Sequence, residues 1–340
     1  MTTEVFSVRG EGICLFGVGS WAQRAWLPAL WPMIEAEEVR LTAVDLPLSV
    51  SEINPKNQWL ELLVQQGKVA YLPWSRLPRL VGVDVVVIAA PARRHLEILS
   101  RVLSEARDLT WVLCEKPGGD SLPQFEDMLA LCAQATVSLA VVDHYLLRPQ
   151  VAAWRARPSS RNGLAAVRRI EAALLERNRE GPDQDVNLDM LVHILNILRV
   201  LYPDSQFRAG AAWFARLAER PHVNVTHALV EGELDLGERR VPCLFEVGKS
   251  APENRKELVL EMPDVVEKLD LAPGASWSYS GLLQEVVRGH PRAEDLLDLG
   301  GISANLVRCT WTELEAVRSV GRFVGEYAPG TRPRYPTSDR

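Results

Sequence analysis

The sequence predicts an α/β protein: a doubly wound parallel sheet first, then an α+β domain with a mainly antiparallel open sheet. Three observations carry this. Residues 1–147 alternate short apolar runs with longer amphipathic segments, the pattern of βαβ units. Residues 83–90 form an apolar, largely β-branched run broken only by Asp84, as expected of a strand buried on both faces. Beyond Pro149 the pattern changes to hairpin-like runs separated by turn signals. A chain of 340 residues calls for two domains, because one hydrophobic core stops growing near about 250–300 residues. The expected divisions are 1–147, 148–325 and a Pro/Arg-rich tail, 326–340, with little to pack.

Each element has a local reason. Ile13-Cys14-Leu15-Phe16 is a short apolar strand, followed by a helix over 21–36. Residues 41–44 form the next strand, ending at Asp45, and 59–66 a helix. After the strand at 83–90, residues 94–106 have helical amphipathicity. A strand at 111–114, a helix at 122–135 and a strand at 138–142 complete the first half. In the second half, 165–176 has β character and 186–201 reads as a strong amphipathic helix. Strands are expected at 206–217, 223–236, 240–247 and 256–262, with a turn at Leu236-Gly237-Glu238. Two late helices are expected at 279–288 and 304–324.

Composition narrows the function classes. Apolar residues make up 47% and charged residues 24%, as in ordinary globular proteins. A net charge of −6 argues against a nucleic-acid partner, and the pairs Arg168-Arg169 and Arg239-Arg240 read as solvated faces. The N-terminus lacks the apolar core of a signal peptide, and no apolar run reaches the ~18–20 residues of a membrane span. The expectation is a cytoplasmic protein with a small-molecule substrate, no nucleic acid and no membrane. An open antiparallel sheet with one uncovered face further predicts a homo-oligomer. Five cysteines without CxxC spacing read as buried small hydrophobes in a reducing compartment, and the six histidines show no metal-binding pattern.

Chemistry concentrates at a few positions. Gly17-Val18-Gly19-Ser20-Trp21-Ala22 follows the first strand with dinucleotide-fingerprint spacing, alanine taking the third small position. Gly17 permits the turn, Gly19 lets the backbone approach a pyrophosphate, and Ala22 lets the helix pack on the strand. Asp45 stands 26 residues beyond Gly19, near the ~20-residue offset of a carboxylate that binds ribose hydroxyls. Its charge repels a 2′-phosphate and no arginine follows closely, which favours NAD slightly over NADP. The alternative for Asp45 is a strand-end turn residue. Ala90-Pro91 ends the central strand beside the expected nicotinamide side. His95, on the first turn of the next helix, reads as a partly buried structural histidine rather than a catalytic one, and is grouped with the cofactor-binding residues.

Glu115-Lys116-Pro117 closes another strand of the same sheet, where ligands of open parallel sheets sit. A lysine there can hold a substrate oxygen and pass its proton, with Glu115 orienting the ammonium. The alternative is a solvated turn. On the helix of the second half, Asp189 and His193 are four residues apart and face the same way. His193 reads as a proton acceptor or as a satisfied core histidine.

These motifs, in this order, resemble the Gfo/Idh/MocA oxidoreductase family over about residues 12–200. The resemblance implies a Rossmann domain followed by an α/β domain whose open sheet often mediates oligomers. It implies Lys116 as the substrate-oxygen and proton-relay residue, His193 as the second catalytic group and Asp189 as its partner or a substrate ligand. Leu191 stands where the family usually has glycine. Asp143-His144-Tyr145-Leu146-Leu147-Arg148 is similar to the DHYLGK segment of glucose-6-phosphate dehydrogenases, with Arg148 at the lysine's place and the glycine missing. That similarity implies Asp143 as the catalytic partner of His193, with His144, Tyr145 and Arg148 binding an anionic group. The alternative is an interdomain hinge packed by Tyr145.

The function expected is an NAD(P)-dependent dehydrogenase or reductase acting on a secondary alcohol or ketone of a sugar-like substrate, with a phosphorylated sugar among the options. Two alternatives stay open: a reductase of a tetrapyrrole or other unsaturated ring, and a dinucleotide-binding regulatory protein without turnover.

Overall fold

The computed structural model describes residues 11–46, 59–77, 80–156, 166–177, 185–219, 221–272, 278–289, 291, 296–297 and 299–336. The expectations for residues 1–10, for position 165 and for 337–340 lie outside these. The chain divides into two compact units, Met1–Val142 with Ser278–Ala304, and Asp143–Trp277 with Asn305–Arg340.

The first unit is a seven-stranded sheet. Its strands are β1 (Glu11–Phe16), β2 (Val39–Asp45), β3 (Val69–Pro73), β4 (Val85–Ile88), β5 (Trp111–Glu115), β6 (Ser138–Val142) and β13 (Gly301–Ile302). Their order is β13-β6-β5-β4-β1-β2-β3. All neighbours are parallel except β13, which pairs antiparallel with β6. The first six follow the doubly wound order 3-2-1-4-5-6, with the switch point between β1 and β4. Helices α1 (Ser20–Glu35), α2 (Trp59–Gln65), α3 (His95–Glu105) and α4 (Leu122–Ala135) connect these strands. The all-apolar runs explain the centre: Ile13 to Phe16, Val85 to Ile88 and Val112 to Cys114 are at most 1% exposed. Pairing of β13 with β6 returns α7 (Ser280–Gly289) and its surroundings to this unit.

The second unit holds β7 (Arg169–Glu176), β8 (Gln206–Leu217), β9 (His227–Asp235), β10 (Arg240–Lys249), β11 (Arg255–Glu261), β12 (Val266–Asp270) and β14 (Gly321–Tyr327). They run in the order β12-β11-β7-β10-β9-β8-β14. Pairing is mainly antiparallel, with β7–β10 and β8–β14 parallel. Helix α5 is Pro149–Arg155, α6 is Val192–Leu201 and α8 is Ala304–Val320. Every residue of α6 is buried. Its Arg199 donates to Glu313 of α8 at 2.5 Å, and the same Glu313 oxygen accepts the Phe207 N–H at 2.7 Å. A buried charge is tolerable because it is paired and hydrogen-bonded.

Four expectations change. The helix over 186–201 opens with a π-helical turn, Asn187–Leu191, before regular α-helix begins. The helix over 304–324 stops at Val320 and becomes β14. A Cβ on Gly321 would meet the Phe214 ring at 1.9 Å, so glycine at the crossing lets β14 lie against β8. The segment after 325, expected to pack poorly, is anchored: Tyr327 is buried, and the Tyr335 hydroxyl contacts His227 Nδ1. Finally, Cys309 is exposed, while Cys14, Cys114, Cys132 and Cys243 are buried. Among the described residues no helix is long and apolar enough to cross a membrane.

Candidate functional site

The first cluster forms at the carboxyl ends of β1, β2 and β4, around the switch point. Gly17 has φ +82°, and a Cβ on it would meet the Ala90 nitrogen at 2.8 Å. The turn therefore needs glycine for both conformation and space. Nothing lies within 4 Å of a Cβ on Gly19, so its backbone faces open space. A cavity of about 430 Å³ opens here, lined among others by Gly17, Gly19, Asp45, Trp74, Ala90 and Arg94. Pro91 and Leu46 also line it. Ser20 begins α1, Trp21 is in its first turn, and Ala22 is buried. The first backbone N–H groups of a helix suit an anion. Open space over Gly19, the tight turn at Gly17 and a carboxylate at the rim fit a dinucleotide.

Asp45 has two local jobs. Its Oδ2 accepts the Val18 N–H at 2.7 Å and its Oδ1 the Leu46 N–H at 2.6 Å, so it braces the glycine turn while lining the cavity. His95 is wholly buried, with Nε2 2.7 Å from the Ala90 carbonyl and Nδ1 3.1 Å from Cys114 Sγ. Burial pushes its pKa down to about 4, so near neutral pH the ring is uncharged. Nε2–H then donates to Ala90 and Nδ1 accepts from the thiol, tying the cavity wall to β5. His95 is not among the residues lining the cavity.

Glu115 ends β5 as a buried hub. Its Oε1 accepts from Trp21 Nε1 at 2.7 Å, Trp26 Nε1 at 2.9 Å and the Tyr279 hydroxyl at 3.0 Å. Trp26 and Tyr279 stack with centroids 4.2 Å apart. Burial raises the Glu115 pKa, opposed by these donors and by the Lys116 charge. Lys116 follows directly, its N–H donating to the Val142 carbonyl at 3.1 Å. The Lys116–Pro117 peptide is cis.

The second cluster lies within the second unit. His193 Nδ1 is 2.7 Å from Asp143 Oδ1, and Asn196 Nδ2 donates to Asp143 Oδ2 at 2.8 Å. The Tyr145 N–H also donates to Asp143 Oδ1. Burial alone would raise the Asp143 pKa. The His193 charge and hydrogen bond outweigh it, helped by His144 and Asn196, and hold the carboxyl well below its usual range. Tyr145 packs on His193 at 4.3 Å between centroids, His144 meets it edge-on at 5.0 Å, and the Arg148 guanidinium lies 5.1 Å from the Tyr145 ring centre. Asp143, His144 and His193 could offer three ligand atoms to a metal ion, and two of these residues hydrogen-bond each other.

Asp189 sits in the π turn, and its Oδ2 is 2.9 Å from Lys249 Nζ. Lys249 also donates to Glu176 at 2.7 Å, and Lys256 donates to the other Glu176 oxygen at 2.5 Å. The two carboxylates raise the Lys249 pKa against its burial, and the two lysines lower that of Glu176. The Tyr327 hydroxyl holds the Lys249 carbonyl at 2.8 Å. Lys249, Glu176, Lys256, Asn196, Trp74 and Arg94 were not singled out from the sequence. Nothing in their spacing marks them, since strand pairing and the sheet switch point bring them to their clusters.

The fold has solved counterparts. The chain is similar to KijD10, a 3-ketoreductase from Actinomadura kijaniata crystallised with TDP-benzene and NADP. That likeness has a TM-score of 0.68 at 16% identity over 94% of this chain and 100% of that one. GenD2 from gentamicin A biosynthesis, in complex with NAD, gives 0.68 at 16% over 94% and 96%. Glucose-6-phosphate 1-dehydrogenase from Mycobacterium avium gives 0.63 at 16% over 94% and 95%. No family model matches the sequence, and no curated protein does. At these identities the likeness shows the fold: an α/β chain with a mostly parallel sheet and a second, mainly antiparallel one.

Proposed function

We propose that the chain is an NAD(P)-dependent oxidoreductase acting on a secondary alcohol or ketone of a sugar-like substrate. The carrying observation is the cavity at the β1/β4 switch point, where Gly17 makes the turn and Gly19 leaves its backbone open. The neighbours in fold were crystallised with NADP or NAD, or carry sugar-oxidoreductase names, which supports the same class. When bound, the nicotinamide supplies a two-electron hydride donor or acceptor.

The chain's own residues divide the remaining work. Gly17, Gly19, Ser20 and Trp21 hold the phosphates on the turn and the start of α1, Ala22 packs that helix on the strand, and Ala90 and Pro91 form the wall. Asp45 takes the ribose hydroxyls and disfavours a 2′-phosphate, so NAD is the better ligand. Lys116 holds the substrate oxygen. Asp143 fixes the His193 ring through Nδ1, which leaves Nε2 to exchange the hydroxyl proton. Tyr145, His144 and Arg148, with Asp189 and Lys249, bind the substrate's polar groups. An anionic sugar would use Arg148, whose planar guanidinium suits phosphate or carboxylate. A second copy of the chain is proposed as a partner, tested by light scattering on a sizing column.

The test is titration with NADH and NADPH, followed by nicotinamide fluorescence. Binding near ~1–100 μM is expected, in the ordinary range for enzyme ligands. Turnover with sugars is then screened, and Lys116→Ala should lower it ~100-fold or more with dinucleotide Kd unchanged. If well-folded protein binds neither dinucleotide, the reading fails. If Lys116→Ala leaves turnover intact, the role of Lys116 fails.

A further inference from the structure

The cavity contains a cation that chain order hides. Asp45 and Leu46 reach it from the end of β2, Trp74 from just after β3, and Arg94 from the turn between β4 and α3. Both Asp45 oxygens accept backbone N–H groups, from Val18 and Leu46, so this carboxylate is tied down and cannot swing away from an incoming anion. A pocket holding Asp45 alone would reject a 2′-phosphate.

Arg94 changes that balance. Its guanidinium forks onto Glu97, Nε to Oε2 at 2.9 Å and Nη2 to Oε1 at 2.9 Å. The Glu97 side chain is 53% exposed and that of Arg94 31%, and exposed pairs one helical turn apart hold weakly. A phosphate dianion offers a guanidinium the same forked geometry with more charge. The Trp74 ring helps to place the cation. It sits edge-on to Phe16 at 6.0 Å, with the guanidinium carbons of Arg101 and Arg94 at 4.5 and 6.0 Å from its centre. That is cation–π range for both.

We propose that Arg94 is the specificity-determining residue for the phosphorylated dinucleotide: its guanidinium leaves Glu97 to receive the 2′-phosphate, with Trp74 as its platform. The pocket then accepts both dinucleotides. Asp45 sets the affinity for the free ribose and Arg94 that for the 2′-phosphate. This rests on the dinucleotide reading above.

The experiment measures binding of NADH, NADPH and adenosine 2′,5′-bisphosphate to the wild-type chain and to Arg94→Gln and Arg94→Lys, with no turnover required. Arg94→Gln should weaken NADPH and the bisphosphate tenfold or more and NADH less than threefold. Arg94→Lys should recover part of the loss, and added salt should weaken NADPH more than NADH. Equal weakening of both dinucleotides would reduce Arg94 to a stacking surface and overturn the proposal. Wild-type binding of NADH with none of NADPH would overturn it while leaving the dinucleotide reading intact. Binding of neither by folded protein would remove both.

Discussion

The two units each bury a carboxylate, and they treat it in opposite ways. In the first, Glu115 gathers three neutral donors on one oxygen and its pKa rises, because burial outweighs them. In the second, Asp143 faces His193 and Asn196 and its pKa falls. Being buried does not decide whether a charge supports the fold. The balance between burial and its partners does, and at Glu313 burial wins even against the Arg199 charge.

The same isosteric change should therefore have different signs in the two places. Asp143→Asn should cost about 3–5 kcal/mol at pH 7, as breaking buried ion pairs does. A carboxyl held low contributes stability above its unfolded value of 3.8 and loses it as pH falls toward the folded value. The gap between wild type and Asp143→Asn in urea unfolding should thus close below about pH 4, and a gap independent of pH would show that Asp143 acts by shape alone.

Gly17→Ala comes next. With φ +82° and a Cβ 2.8 Å from the Ala90 nitrogen, it should cost about 1–3 kcal/mol and weaken dinucleotide binding more than tenfold. Calorimetry reads both effects, and unchanged affinity would mean the turn does not shape the cavity.

Lys249→Met should cost about 1–2 kcal/mol, since it leaves Asp189 and Glu176 without one shared cation while Lys256 still holds Glu176. It should also raise KM for a sugar substrate more than it lowers kcat. A pure kcat loss would place Lys249 in the chemistry instead.

The smallest effect is expected at Glu115→Gln. An acid whose pKa is raised loses stability as pH climbs above its unfolded value of 4.5, so removing the charge removes that loss. Gln keeps an accepting oxygen for Trp21, Trp26 and Tyr279. Stability at pH 7 should stay within about 1 kcal/mol of wild type or rise, while Glu115→Ala, which strands the donors, should cost about 2–4 kcal/mol. A large loss in Glu115→Gln would erase the contrast between the two units.

The units also differ in how much the sequence discloses. The first is built from all-apolar parallel strands whose ends carry short motifs, so Gly17 and Asp45, which line the cavity, can be read from local order. Arg94 escapes because no arginine follows Asp45 closely along the chain, and the switch point brings this one from another strand end. In the second unit the Asp143–His193 pair is visible only through the resemblance, since helical spacing alone joins His193 to Asp189. The π turn at Asn187–Leu191 is a single-turn disturbance with no periodic signature, and Asp189 within it meets Lys249. Lys249 and Lys256 look like ordinary charges on hairpin strands until β7, β10 and β11 pair. β14 hides because its burial follows no clean alternation and the helical pattern of α8 runs straight into it.

The three donors on Glu115 have one more consequence. Two of the ten tryptophans hydrogen-bond to the same ionisable oxygen, and one of them stands two residues from Gly19. Indole emission responds to nearby charge and to hydrogen bonding at its nitrogen. The protein thus carries an intrinsic optical reporter beside the glycine turn. Excitation near 295 nm should register a molecule settling on that turn without any label, and Trp21→Phe should darken the signal selectively.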